Sequence, residues 1–134
     1  MSKANEIILK TSIGNVKKIG DLLEIIPFQD KVIDFDLDAA LQLIRDCTEL
    51  TKGEPHMVLW DARDIEIVIG PEVRDEFIKS EEARKYRKAL AFVVNSLPNR
   101  LTANFFVNVN KPPAPSAVFE TREEAVIFLK KHWD

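Results

Sequence analysis

The residues best suited to acid–base chemistry are carboxylates that follow one short apolar segment. The run His56–Asp61 (HMVLWD) predicts a buried strand, and Asp61, Asp64 and Glu66 lie at its end or just beyond it. Open α/β sheets bind their ligands at this carboxyl edge. General acid or base catalysis would require a partner such as a histidine or a metal cluster, and none is near in sequence. We therefore interpret these residues as a solvated acidic loop. The alternative is a small hydrolase-type enzyme that uses Asp61, Asp64 and His56.

The histidine and cysteine pattern does not indicate a metal site or a nucleophile. His56 and His132 are far apart and lack the spacing of metal ligands. Cys47 lies on the apolar stripe of a predicted helix, where cysteine behaves as a small hydrophobic residue, and a nucleophile would need a base beside it. No glycine pattern for phosphate binding occurs. We expect no metal and no cofactor, and a non-enzymatic protein rather than an enzyme.

The segment Ala62–Gly70 (ARDIEIVIG) is unusually apolar for a connection that should be polar. Its branched side chains could pack against the core as an extra turn or strand. They could instead line an apolar pocket or a partner interface at the carboxyl edge of the sheet. Both interpretations remain open, and they give one set of candidate binding residues: Asp61, Asp64, Ile65, Ile67, Val68, Ile69 and Gly70.

Composition and charge limit the class of protein. The chain has 134 residues, 46% hydrophobic and 31% charged, which predicts one globular domain over residues 1–134. A net charge of −3 argues against nucleic acid as a partner. The basic residues cluster over 79–88, where Glu81 and Glu82 partly neutralise them, so a solvated helix face is expected and an anion patch is the alternative.

Membrane and export signals are not expected from this sequence. No apolar run approaches the roughly 18–20 residues that span a bilayer, and the N-terminal segment lacks the pattern of a signal peptide. Cys47 is the single cysteine and cannot form an internal disulfide, which is typical of a reducing compartment. We expect no transmembrane segment and a cytoplasmic location.

The spacing of the hydrophobic residues along the chain predicts an α/β fold with a mixed sheet of about five strands and about four helices. Short apolar runs alternate with helical patterns, and parallel strands need such crossovers. The predicted strands are an opening antiparallel meander within 6–27, followed by His56–Asp61, Lys88–Val94 and Ser116–Phe119. The run Ala89–Val94 is apolar throughout, so that strand should be central and covered on both faces.

Helix boundaries are marked by capping residues. Asp36 or Asp34 caps the start of the first predicted helix and Lys52-Gly53 ends it, and Gly70-Pro71 begins the second. Ser80 caps a further turn, and Thr121 opens a capping box before the last helix. Residues 99–110 fit a strand or a helix, and we favour a helix because the flanking strands need a crossover. Residues 111–115 (KPPAP) predict an extended connector.

This order of elements resembles the SpoIIAA-like fold shared by STAS domains. The resemblance rests on the strand ending at Asp61, the Gly70-Pro71-Glu72 helix start, the ALAFVV strand and the stretch from Phe105 to Trp133. The ending NVNKPPAPSAVFETREEAVIFLKKHW is especially similar to the ends of small uncharacterised bacterial SpoIIAA-like proteins.

One departure from that family changes the expected function. Anti-sigma-factor antagonists of the STAS class carry a phosphorylatable serine just after the corresponding strand, whereas this chain reads Asp61-Ala62-Arg63-Asp64-Ile65. A phosphoserine switch is therefore not expected. The prediction is a non-enzymatic binding or regulatory module, with a protein partner or a small apolar ligand bound after the strand ending at Asp61, and a possible homodimer.

Overall fold

The structure is a computed structural model that describes residues 6–28, 32–110 and 114–133. Over these residues the chain forms eight strands, five α-helices and one π-helical turn at Phe106–Asn110. The strands are β1 (Glu6–Lys10), β2 (Gly14–Ile19), β3 (Leu22–Pro27), β4 (Val32–Phe35), β5 (His56–Ala62), β6 (Glu66–Ile69), β7 (Arg87–Val94) and β8 (Ser116–Phe119). The helices are α1 (Leu37–Thr51), α2 (Pro71–Lys79), α3 (Glu81–Tyr86), α4 (Leu97–Phe105) and α5 (Arg122–Lys131).

The main sheet is mixed and has six strands in the order β1-β2-β3-β5-β7-β8. The first three strands form the predicted antiparallel meander, and β3, β5, β7 and β8 pair in parallel. The sheet has one strand more than expected, because the meander supplies three separate strands. A second, two-stranded sheet pairs β4 with β6 in parallel, and it was not predicted.

Helices cover both faces of the main sheet. We call inner the face that carries Leu23, Val58 and Leu90, because these side chains pack against α1, α2 and α3. Helix α5 covers the outer face, where Ala125 and Leu129 contact side chains of β5 and β7. Both faces of β7 are therefore buried, and the prediction that this strand is central and covered on both sides is confirmed.

The predicted caps fix the helix ends. The Asp36 side chain accepts a hydrogen bond of 2.9 Å from the Ala39 amide at the start of α1. Lys52 and Gly53 have φ values of 57° and 72° at its end, the left-handed conformation expected of a C-cap. Thr121 accepts a hydrogen bond of 3.2 Å from the Glu124 amide and begins α5. These boundaries follow from local chemistry alone.

Two further expectations concern single segments. Residues 97–105 are helical and Ser96 caps them, so the predicted crossover between β7 and β8 is confirmed. Of the connector at 111–115, residues 111–113 lie outside the described part, and the Pro115 carbonyl accepts a hydrogen bond of 2.9 Å from the Leu90 amide.

Cys47 lies in the core, as predicted. Its side chain is fully buried on the inner face of α1. Burial, the largest cause, raises the pKa of the Cys47 thiol to about 12. The thiol therefore stays protonated at neutral pH, which argues against a nucleophilic role.

One ion pair with a buried carboxylate joins the first turn of α5 to β3 on the outer face of the sheet. Glu24 lies in the middle of β3 with its side chain 4% exposed, and Arg122 is the first residue of α5. The Arg122 Nε and Nη2 atoms donate to the two carboxylate oxygens of Glu24 at 3.0 Å and 2.9 Å. A side-on pair of this kind satisfies both oxygens, so the buried carboxylate is hydrogen-bonded as well as neutralised.

Removing this cation should destabilise the fold. In Arg122→Ala the Glu24 carboxylate stays buried without its counter-ion, so we expect a loss of about 2–3 kcal/mol in the free energy of unfolding, measured by urea denaturation. Adding Glu24→Gln should recover part of this loss, since it removes the stranded charge. Arg84→Ala is the control, because it removes an exposed i,i+3 pair and should change the free energy by less than about 0.5 kcal/mol. Equal effects of the two alanine variants would contradict this assignment.

Candidate functional site

An apolar cavity lies between the inner face of the sheet and helices α2 and α4. We call it the inner cavity, and its volume is about 80 Å³. Its lining comes from four strands, two helices and the π-helical turn: Phe35, Trp60, Ala62, Ile67, Ile69, Arg74, Phe77, Arg87, Leu90, Phe92, Val94, Asn99, Thr102, Ala103 and Phe106. A single water needs only about 10–15 Å³, and a cavity of about 150 Å³ can hold benzene. The inner cavity is therefore large enough for the end of a small apolar group.

Aromatic rings make up much of the cavity wall. The ring centroids of Phe35 and Phe77 lie 5.5 Å apart, and Trp60 meets the edge of Phe77 at 6.2 Å. On the other side, Phe92 and Phe106 are in edge contact at 5.6 Å. Tilted and edge-to-face arrangements are the favourable ones for aromatic pairs. The cavity wall is thus built from mutually packed rings.

The segment expected to be a connection supplies one wall as a strand. Residues Glu66–Ile69 pair in parallel with β4, so that Ile67 lies beside Ile33 and Ile69 beside Phe35. Side chains of a strand alternate between its faces. Ile67 and Ile69 accordingly line the cavity, whereas Val68 faces solvent at 47% exposure. Of the two interpretations of Ala62–Gly70, packing as an extra strand describes these four residues.

The remaining apolar candidates have structural roles. Ile65 is buried and packs with Ala62, Val94 and Ala103. Unlike these three residues, Ile65 does not line the cavity. Gly70 is the N-cap of α2, where it precedes Pro71 as the sequence predicted. Of the predicted apolar residues, Ile67 and Ile69 are the ones that reach the cavity.

One amide side chain holds the turn between β5 and β6. Asn99 of α4 is buried, and its Nδ2 donates to the carbonyls of Ala62 at 3.1 Å and Ile65 at 2.8 Å. Its Oδ1 accepts a hydrogen bond of 3.2 Å from the Ile67 amide. Asn99 therefore satisfies three backbone groups between the end of β5 and the start of β6, and it positions β6 over the cavity.

The acidic candidates are occupied by local interactions. Asp64 has a φ of 63°, and its amide and carboxylate exchange hydrogen bonds of 2.9 Å and 2.8 Å with the Asn95 side chain. Asp61 binds Arg63 side-on, with Oδ1–Nε and Oδ2–Nη2 distances of 2.9 Å and 2.8 Å. Burial raises the pKa of the Asp61 carboxyl, but the hydrogen bonds and charge of Arg63 outweigh burial and leave the pKa below its ordinary value. Asp61 is thus ionised and paired, which suits a structural carboxylate.

The structure does not assemble the alternative hydrolase site. His56 begins β5 and Asp61 lies near its end, so about 17 Å of strand separates them. The His56 ring is buried, and its Nδ1 lies 2.8 Å from the Glu54 carbonyl. Asp61 also follows Trp60 in the strand and so points to the outer face, away from the cavity. The grouping of His56 with Asp61 and Asp64 was therefore wrong, because the two ends of one strand cannot meet.

The basic cluster of 79–88 is not one continuous patch. Arg84 is exposed and pairs loosely with Glu81 at 3.7 Å. Arg87 is buried at 9% exposure and donates from Nη2 to the Phe77 carbonyl. Burial lowers the pKa of Arg87. Within this cluster, Arg87 alone reaches the inner cavity.

Helix α4 carries an apolar stripe on its outward side. Leu97, Leu101 and Phe105 follow one another at intervals of four residues, and they are 66%, 61% and 42% exposed. Residues four apart share one face of a helix. We call this set the α4 stripe, and it borders the cavity without belonging to its lining.

Two kinds of feature are absent from the described residues. Within 6–28, 32–110 and 114–133, no three His, Cys, Asp or Glu side chains are grouped so as to hold a metal ion. In the same part of the chain, no helix has the length and apolar character needed to cross a membrane.

Sequence reasoning missed Asn99, Arg74 and Phe35 as residues of this region. A signal existed for Asn99, because Asn95 and Asn99 follow the strand Ala89–Val94. The carboxyl-edge argument used for Asp61 applies equally to that strand. No comparable signal marks Phe35, whose position over the cavity depends on the unpredicted pairing of β4 with β6.

Comparisons with known proteins support the fold. A sequence model of a family described as a domain of unknown function (DUF7793) matches residues 24–133. No curated protein matches the chain. The chain is similar to the crystal structure of an uncharacterised DUF3478-family protein with a SpoIIAA-like fold from Shewanella loihica PV-4. That similarity has a TM-score of 0.53 and 12% identity, over 96% of this chain and 98% of the other. The SpoIIAA-like fold predicted from the sequence is confirmed.

Loss of the Asn99 amide should loosen the cavity wall. In Asn99→Ala the carbonyls of Ala62 and Ile65 and the amide of Ile67 lose their partner, so we expect destabilisation of about 3 kcal/mol in thermal or urea unfolding. Hydrogen exchange at the Ile67 amide should accelerate more than exchange at core amides of β7. Asn104→Ala, an exposed asparagine on the same helix, should leave both quantities unchanged. Unaltered protection of Ile67 in Asn99→Ala would show that the amide does not position β6.

Proposed function

Since the chain belongs to the DUF7793 family, whose description names no activity, we propose a function from the site itself. The protein is a non-enzymatic binding module that takes the apolar end of a small ligand into the inner cavity. The observation that carries this proposal is the apolar lining of the cavity, to which the predicted residues Ile67 and Ile69 contribute beside Phe35, Trp60 and Ala103. Rigid, largely apolar concavities with few polar groups are typical of small-molecule sites.

The polar side chains at this edge of the sheet favour binding over catalysis. Asp61 and Asp64 are engaged by Arg63 and Asn95, and the Asn99 amide uses both its donors and its acceptor on backbone groups. General acid–base chemistry needs a group free to exchange a proton with a substrate. A phosphoserine switch at this edge is also unsupported, because residues 61–70 contain no hydroxyl side chain. We further propose a cytoplasmic location, which suits the single buried thiol of Cys47.

Filling the cavity should abolish ligand binding. Ala103 lines the cavity and is buried, so Ala103→Leu adds three carbon atoms inside it. We expect 1-hexanol to bind the wild-type chain, detected as saturable shifts of cavity-lining amides in ¹H–¹⁵N spectra, and to bind the variant at least about tenfold more weakly.

Asn104→Leu is the matched control, because it adds apolar bulk to the exposed face of the same helix. It should bind 1-hexanol as the wild type does. Absence of any shift in the wild type at saturating 1-hexanol, or equal binding by Ala103→Leu, would refute the proposed function.

The α4 stripe favours a second candidate function, contact with a protein partner. Three large apolar side chains exposed along one helix face are more than isolated surface residues. We propose a second copy of this chain as the partner, joined stripe to stripe in a homodimer with a two-fold axis. Such a contact would hide Leu97, Leu101 and Phe105 together.

Sedimentation velocity tests the dimer directly. The wild type should sediment as a dimer, and Leu101→Asp as a monomer, because the charge would be buried at the centre of the contact. The substitution lies on an exposed position, so the stability of the monomer should change by no more than about 0.5 kcal/mol. Ile127→Asp, exposed on α5, should remain dimeric. A monomeric wild type would exclude this candidate.

A further inference from the structure

The inner cavity is apolar but carries positive charge. Its lining includes two guanidinium groups, Arg74 and Arg87, and none of its described residues is acidic. Arg87 is buried and Arg74 is half-buried, and a cation in an apolar environment is unfavourable without a partner. The two arginines differ in the partners that they have.

Arg87 has a partner inside the protein. Its Nη2 donates to the Phe77 carbonyl, which is a neutral acceptor at the end of the cavity nearest α3. Arg87 therefore helps to fix the position of α2 on the sheet.

Arg74 has an unused donor at the seam between α2 and α4. Its Nε is buried, and no acceptor of the described residues lies within hydrogen-bond distance. No carboxylate of those residues lies within 4.0 Å of its guanidinium nitrogens. The guanidinium carbon lies 4.7 Å from the centroid of the Phe105 ring on α4, so the group is held in place by a cation–π contact.

The same protein shows what this donor edge binds. Arg63 and Arg122 each bind a carboxylate side-on, through Nε and Nη2, at distances of 2.8–3.0 Å. Both nitrogens of the edge donate in parallel to the two oxygens, which is the strong bidentate geometry. Arg74 lines the apolar cavity, and its Nε has neither an acidic residue nor another acceptor among the described residues.

Resting on the proposed function, we propose that the ligand of the inner cavity is an amphipathic carboxylate. Its carboxylate binds the Nε edge of Arg74 between α2 and α4, and its apolar end occupies the cavity. The cavity volume of about 80 Å³ is about half of the roughly 150 Å³ that holds benzene, so it takes about three or four carbon atoms. The ligand class is therefore a short-chain carboxylic acid or a longer chain whose end enters the cavity.

A matched set of probes tests the charge and the apolar end separately. Hexanoate, 1-hexanol and acetate are titrated into the full ¹⁵N-labelled chain, with the Arg74 Nε–Hε signal assigned by its loss in Arg74→Lys. We expect hexanoate to bind about tenfold more tightly than 1-hexanol and acetate. The Arg74 Hε signal should shift with hexanoate and not with 1-hexanol.

Variants identify the residue responsible. Arg74→Gln should bring hexanoate down to the affinity of 1-hexanol, while 1-hexanol itself changes by less than about twofold. Arg74→Lys keeps the charge without the planar donor edge, so its affinity for hexanoate should fall between that of the wild type and that of Arg74→Gln. Arg84→Gln removes the same charge from an exposed site outside the cavity and should leave all three affinities unchanged. The spectra also report whether each variant is folded.

The outcomes separate this inference from the proposed function. Equal affinities for hexanoate and 1-hexanol, or hexanoate affinity that survives in Arg74→Gln, would overturn the inference and leave apolar binding in place. Binding of neither hexanoate nor 1-hexanol would overturn both. Equal affinities for acetate and hexanoate would support an anion contact at Arg74 but contradict occupation of the cavity.

Discussion

The cavity depends on three hydrogen bonds made by the side chain of Asn99. Strand β6 lies outside the main sheet, and the turn that leads to it from β5 carries backbone polar groups that need partners. The Asn99 amide pairs with two carbonyls and one amide of this turn. Unsatisfied buried backbone groups are costly, so this single residue makes the position of β6 favourable. With β6 in place, Ile67 and Ile69 close one side of the cavity.

The two faces of the main sheet are packed differently. On the outer face, small side chains of β7 pack under α5, and the buried pair of Glu24 and Arg122 joins α5 to β3. On the inner face, large aromatic and branched side chains meet without filling the space between α2 and α4. The outer face therefore contributes stability through close packing and charge pairing, and the inner face retains the cavity.

The acidic residues illustrate how position decides the role of a carboxylate. Asp61 and Asp64 lie at the edge of the sheet where ligands of α/β proteins bind, yet each is paired with a neighbour. Asp64 adopts a left-handed conformation that a short polar side chain tolerates, and Asn95 holds it there. The likeness to the Shewanella loihica protein, at 12% identity, concerns the fold and carries no information about these side chains.

The amino-acid sequence by itself determined the local elements. The caps at Asp36, Ser80 and Thr121, the Gly70-Pro71 helix start and the apolar run Ala89–Val94 each act through neighbours in the chain, so their effects can be predicted from spacing. Only the tertiary structure decided which distant groups meet. The pairing of β4 with β6, the contact of Asn99 with residues 62–67 and the separation of His56 from Asp61 depend on how elements pack. The alternation of Ile67 and Ile69 was present in the sequence, but its partner strand was not identifiable there. The cavity arises from packing between elements, because its walls come from segments that are far apart along the chain.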